Sequence, residues 1–185
     1  SGKSALVLGI ARQLIGASHS VRLGKPLATS FELGDNSEVS NKPLIDDDVR
    51  FIGETLGLQD EELIPSLHLI SPDTAQKRLA SSNLLAGEGF DSLRQKLKES
   101  NKALTLLEAA GSLHEGTLYG LSLCQLAEGL DAPVLLVHLW QDSRSVDSLL
   151  AAKQALGNRL AGVVLNAVTP EDVEKLEQNV VPSLK

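Results

Sequence analysis

The sequence predicts an α/β fold built on a mainly parallel sheet, and two observations carry that reading. Short aliphatic runs alternate with helix-patterned segments along the whole chain. The apolar content is almost entirely Leu, Val, Ile and Ala, with only three Phe, one Tyr and one Trp, which suits strands buried between helical layers better than an aromatic-rich β-sandwich. At 185 residues the chain has room for one domain with a sizeable core and little for a second, so 1–185 is expected to form a single domain.

The elements follow in order. Residues 5–17 carry Leu6, Leu8, Ile10, Leu14 and Ile15 without a proline and are expected to be a helix, with a strand over 5–10 as the alternative. The runs 21–23, 103–107, 133–139 and 160–165 are short and apolar, as buried parallel strands are. Helices are expected over 46–56, 90–99, 121–130, 143–156 and 171–181. The first opens with Asp46, Asp47 and Asp48, carboxylates that the helix dipole favours at an N-terminus. The fourth sets Val146, Leu149, Leu150, Ala152 and Leu156 on one side and stops at Gly157-Asn158, and the fifth is opened by Thr169 and Pro170, a capping residue before a first-position proline. Strand–helix alternation of this kind implies right-handed crossovers. Segment 30–43, rich in Gly, Asp, Asn and Ser, is expected to be a mobile loop of the sort that closes over a ligand, and 71–87 to be irregular.

Composition removes several function classes. Lys plus Arg number 17 against 24 for Asp plus Glu, a net charge of −7, and the cations are scattered, so no nucleic-acid partner is expected. No apolar run approaches the roughly 18 residues a bilayer span needs, so no membrane partner is expected. Cys124, the only cysteine, lies in an apolar helical pattern; it is expected to be buried and unbridged, which fits a reducing, cytoplasmic location. His19, His68, His114 and His138 have neither metal-ligand spacing nor a partnered nucleophile, so neither a zinc site nor a triad is expected.

What remains points to phosphate. The chain opens Ser1-Gly2-Lys3-Ser4, the second half of the phosphate-loop pattern G-x-x-x-x-G-K-[ST]. In a complete loop backbone N–H groups wrap the phosphates, the lysine reaches the β- and γ-oxygens and the serine hydroxyl joins Mg²⁺. With this motif the expected architecture is a three-layer P-loop NTPase-type fold whose first strand would precede Ser1, so that the chain is expected to be cut from a longer one. Lys25 stands at the exit of the first visible strand, where ligands bind in open parallel sheets; a solvated lysine is the competing reading. Thr29 could offer its hydroxyl to the same ligand or cap a turn. One of the three aspartates 46–48 would suffice for Mg²⁺, the others decorating a helix start. Glu108, ending the run 103–107 before Ala109, Ala110 and Gly111, sits where a metal-holding carboxylate is required if Lys3 belongs to a phosphate loop; a loop residue is the competing reading. Asn166, ending the last strand, could read a purine edge or form a turn.

In order, Gly2-Lys3-Ser4, Lys25-Pro26-x-Ala28-Thr29, Asp48, Ser71-Pro72, Leu107-Glu108-x-Ala110-Gly111 and Asn166-x-Val168-x-Pro170 resemble dethiobiotin synthetase and its relatives. Segments 51–56 and 133–165 look most similar to the dethiobiotin-synthetase-like N-terminal domain of the phosphate acetyltransferase family. The resemblance implies ATP and Mg²⁺ as cofactors. It implies Gly2, Lys3 and Ser4 around the phosphates, Asn166 facing adenine, and Ser4, Asp48 and Glu108 gathering the metal. Lys3, Lys25 and Thr29 would be the catalytic set, with Lys25 neutralising a carbamate and the transferred phosphoryl group and Thr29 touching substrate. Where that family has glycine after the glutamate, this sequence has Ala109. The expected function is a nucleotide-binding regulatory or ATP-dependent module of a phosphate-acetyltransferase-like protein, taking an unidentified small-molecule substrate or effector. The alternatives are a working carbon–nitrogen ligase that phosphorylates a carbamate or carboxylate, and a partner-binding domain with an inactive loop. A homo-oligomer is implied by the same resemblance.

Overall fold

A computed structural model describes residues 2–31, 43–99 and 103–184. The chain forms two compact units. One comprises Ser4–Leu126, and the other Ser1–Lys3 with Ala127–Lys185.

Helix α1 (Lys3–Gly16) opens the chain, so the helical reading holds and the strand over 5–10 does not. In the larger unit it is followed by β1 (Ser20–Gly24), β2 (Leu27–Ala28), α2 (Asp47–Leu56), β3 (Leu63–Ile64), β4 (His68–Leu69), α3 (Pro72–Ser81), α4 (Glu88–Glu99) and β5 (Ala103–Leu107). Strand β1 lies between β3 and β5, parallel to both, and β2 pairs in parallel with β4. Val21 and Leu23 of β1 pack with Ala11 of α1, Val49 and Ile52 of α2, Ile45 and Leu63. Burying aliphatic side chains of this size contributes roughly 1.5–3 kcal/mol each, and this core fixes the ends of β1 and β5 side by side.

Helix α5 (Leu123–Leu130) leads into the second unit, where β6 (Val134–Leu139) and β7 (Leu160–Asn166) pair in parallel. Helices α6 (Arg144–Leu156), α7 (Pro170–Asn179) and α8 (Val181–Leu184) complete it. Leu149, Leu176 and Val180 form its core, with Trp140, Val163 and Leu165 against them.

Three expectations need correction. Segment 71–87 is not irregular: α3 occupies its first half, with the Ser71 side chain accepting from the Thr74 amide and Pro72 at the first helical position. The helix buries only Arg78, so it has no apolar stripe to read. The strands are also less buried than their composition suggests. β1 is largely buried, whereas Leu104, Leu135 and Leu139 are exposed; among the described residues, β5 and β6 each have a hydrogen-bonded neighbour along one edge alone. Cys124 is half-buried rather than buried. Of the segment 30–43, residues 32–42 lie outside the described residues. No helix among the described residues is long and apolar enough to cross a membrane.

Candidate functional site

Glycine is required where the chain enters α1. Gly2 has φ +87°, and a Cβ there would stand 2.5 Å from Asn166 Nδ2, so the backbone turns against a carboxamide with no room for a side chain. Asn166 is held at the end of β7: its carbonyl accepts from the Trp140 amide at 2.8 Å and its Oδ1 from the Ala167 amide at 2.9 Å. One residue into α1, the Ser4 hydroxyl donates to Glu108 Oε1 at 3.2 Å. Glu108 is 7% exposed and its amide donates to the Gly24 carbonyl at 2.8 Å, extending the β1–β5 ladder by one step. Parallel pairing therefore delivers the carboxylate to the first turn of α1. The first turn carries no acidic side chain, leaving its N–H groups and dipole favourable to an anion.

A second cluster follows β1. Lys25 is 3% exposed, which excludes the solvated lysine. Its ammonium donates to Thr29 Oγ1 at 2.5 Å, Asp46 Oδ1 at 3.1 Å and Asp48 Oδ2 at 3.1 Å, one acceptor for each of its three N–H bonds. Burial pulls its pKa down, but hydrogen bonds to Asp48 and Asp46 and their charges overcome this and hold it above the ordinary lysine value. Asp46 is fully buried. Burial pushes its carboxyl up, and the amides of Thr29 and Ser30, with the Lys25 ammonium, bring it below the ordinary range. Both groups therefore stay charged. The main chain around them is clamped: the Ser66 hydroxyl donates to the Lys25 carbonyl at 2.6 Å, and the Leu67 amide to that of Pro26 at 2.8 Å.

The structure thus joins Ser4 with Glu108, Gly2 with Asn166, and Lys25 with Thr29 and Asp48. Sequence reasoning treated Asp46 as helix decoration; it caps α2, accepting from the Asp48 amide at 3.0 Å, and is the most heavily bonded carboxylate of the cluster. Its signal was the run of three aspartates itself, which sequence alone could not resolve into three different roles. Beyond Glu108, the Glu115 carboxylate turns back onto Gly111 and accepts from the Ser112 amide at 3.2 Å.

A family model described as an AAA domain matches residues 1–182. The chain belongs to this family. The AAA domain in question is a P-loop NTPase family with dethiobiotin-synthetase-like members, and the parallel strands and flanking helices agree with that fold. Nucleotide binding is the property that membership carries. The residues present fit a magnesium nucleotide. Mg²⁺ at phosphates takes one or two protein oxygens and completes its shell with phosphate and water, and the Ser4–Glu108 contact supplies a hydroxyl and a carboxylate. Among the described residues no three His, Cys, Asp or Glu side chains group closely enough to hold a metal without such help.

Proposed function

We propose that this AAA domain binds ATP and Mg²⁺ as a dethiobiotin-synthetase-like domain, and acts as a regulatory or ATP-dependent module of a phosphate-acetyltransferase-like protein. The observation that carries the reading is the 3.2 Å contact between Ser4 and Glu108: residues 104 positions apart meet as the loop serine and the metal-holding carboxylate of a phosphate site do. In this reading Gly2 and Lys3 hold the phosphates, Ser4, Asp48 and Glu108 hold the metal, and Asn166 faces the base. Bound there, the magnesium nucleotide would supply a transferable phosphoryl group. This chain's own residues supply orientation and fixed charge, the terms that dominate phosphoryl transfer.

The pairing of buried Lys25 with the Thr29 hydroxyl favours a second reading, an active ligase that phosphorylates a carbamate or carboxylate. A permanently charged lysine beside a hydroxyl suits an oxyanion on substrate.

ATP affinity, measured by calorimetry with and without Mg²⁺ on the full polypeptide, tests the first reading. Lys3→Ala should abolish binding and leave the circular dichroism spectrum unchanged; undiminished affinity would remove the phosphate-site assignment and leave a structural domain. ADP release that rises with bicarbonate and a diamine would establish the ligase, and ATP binding without such a rise would favour regulation.

A further inference from the structure

The second cluster contains two carboxylates on one ammonium, and their surroundings differ. Asp46 is fully buried, and five donors converge on it: Lys25 Nζ and the Asp48 amide on Oδ1, and the Thr29 amide, the Ser30 amide and the Thr29 hydroxyl on Oδ2. A carboxylate offers about four lone-pair sites, so Asp46 has no spare capacity and nowhere to turn. The Asp48 side chain is 47% exposed and meets the same ammonium at 3.1 Å. An exposed partner exchanges for water or another ion at little cost, whereas removing a buried one strands a charge.

We propose that Asp46 is the positioning residue of an oxyanion site at Lys25. Its buried carboxylate fixes the ammonium and the amides of Thr29 and Ser30 at one spacing, so that an incoming oxyanion can take the place of Asp48 without displacing the lysine. The inference rests on the reading of Lys25 as the cation for an anionic substrate group. The geometry matches that exchange. Of the three N–H bonds on Lys25, the one to Asp46 is buried, the one to Thr29 ends on a hydroxyl that Asp46 itself ties down through the Thr29 amide and Oγ1, and the third points to the carboxylate that reaches solvent. A carboxylate, carbamate or phosphoryl oxygen presents the same charge and hydrogen-bond geometry as the Asp48 oxygen it would replace.

The test is residue-resolved acylation of the whole protein by an amine-selective ester, read by mass spectrometry, with inorganic phosphate as the anion probe and exposed Lys77 as internal reference. In the wild type Lys25 should label roughly tenfold or more slowly than Lys77, the ratio that one charge-assisted hydrogen bond can make, and phosphate should slow it further. Asp46→Asn keeps a helix-capping oxygen but loses the charge; Lys25 should then label roughly tenfold faster and phosphate should no longer protect it. Asp48→Asn should retain phosphate protection. Wild-type rates with protection intact in Asp46→Asn would overturn the proposal. So would a wild-type Lys25 indifferent to phosphate, or loss of protection in Asp48→Asn, and these two decide the matter should Asp46→Asn not fold. No nucleotide is present, so failure of ATP binding would remove the nucleotide reading and leave these ratios standing.

Discussion

Gly24 is where β1 is most tightly hemmed in. A Cβ on it would lie 2.8 Å from Ile64 Cβ in β3 and 3.1 Å from Leu107 Cδ2 in β5; the leucine tip can give a little, but Ile64 Cβ cannot yield without shifting its strand. Gly24→Ala should lower stability by about 1–3 kcal/mol, measured as a shift in the urea midpoint at unchanged slope. Gly2 is constrained by conformation as well as by space. Holding a non-glycine residue at its φ of +87° costs on the order of 1–3 kcal/mol, and that strain falls on the loop entering α1 rather than on the core. Gly2→Ala should therefore weaken ATP binding at least about fivefold in calorimetry and lower the melting temperature by about 2–4 °C per kcal/mol of strain. The Ser4–Glu108 contact and the glycine at position 2 were legible at this scale, because Gly2, Ser4 and Glu108 belong to short patterns whose chemistry fixes the residue type. Asp46 was not, since three consecutive aspartates look alike until the fold buries one, half-exposes another and leaves the third to the helix dipole.

Among the elements, α3 separates what pattern can show from what it cannot. Helices with an apolar stripe, such as α2 and α6, match their expected spans to within a residue at the start. The two-residue strands β2, β3 and β4 are too short to carry a period and exist because β1 and the Pro26 backbone recruit them. α3 is specified by its cap, so Ser71→Ala should destabilise it by about 1 kcal/mol, seen as faster amide exchange over 72–81. Its buried face is one arginine. Arg78 donates from Nε to the Leu118 carbonyl at 2.8 Å, bonds the Leu85 carbonyl, stacks over Tyr119 and meets His68 Nε2 at 3.3 Å. Burial first, then the Arg78 charge, pulls the His68 pKa below its ordinary 6.5, against a hydrogen bond to the Ala86 backbone that raises it. The folded pKa is thus the lower one, and between the two values the unfolded chain binds more protons. The stability contributed by neutral His68 is complete above about 6.5 and is lost as pH falls toward the folded value. His68→Gln keeps an acceptor for Arg78 and removes the titration, so the urea midpoint should fall less steeply with acid in this variant than in the wild type.

For the molecule as a whole the decisive quantity is charge. The chain carries −7, and Glu108, the carboxylate that accepts from the Ser4 hydroxyl in the first turn of α1, is 7% exposed. A polyphosphate approaching such a carboxylate without a cation meets repulsion that water screens poorly. Mg²⁺ held by Ser4 and Glu108 would offset that repulsion, so nucleotide and metal should bind as a unit. A ligand at about 100 times its Kd stabilises the folded state by about 2.7 kcal/mol, and Mg²⁺ with ATP should raise the denaturation midpoint accordingly while ATP with a chelator should do much less. Glu108→Gln removes the charge and keeps both the shape and an oxygen to accept from Ser4. In that variant metal-free ATP should stabilise the protein more than it does the wild type, and the additional gain from Mg²⁺ should shrink. If Glu108 were only a strand-end residue bonded to Ser4, the substitution would leave the magnesium increment unchanged, and denaturation curves with and without the metal distinguish the two outcomes.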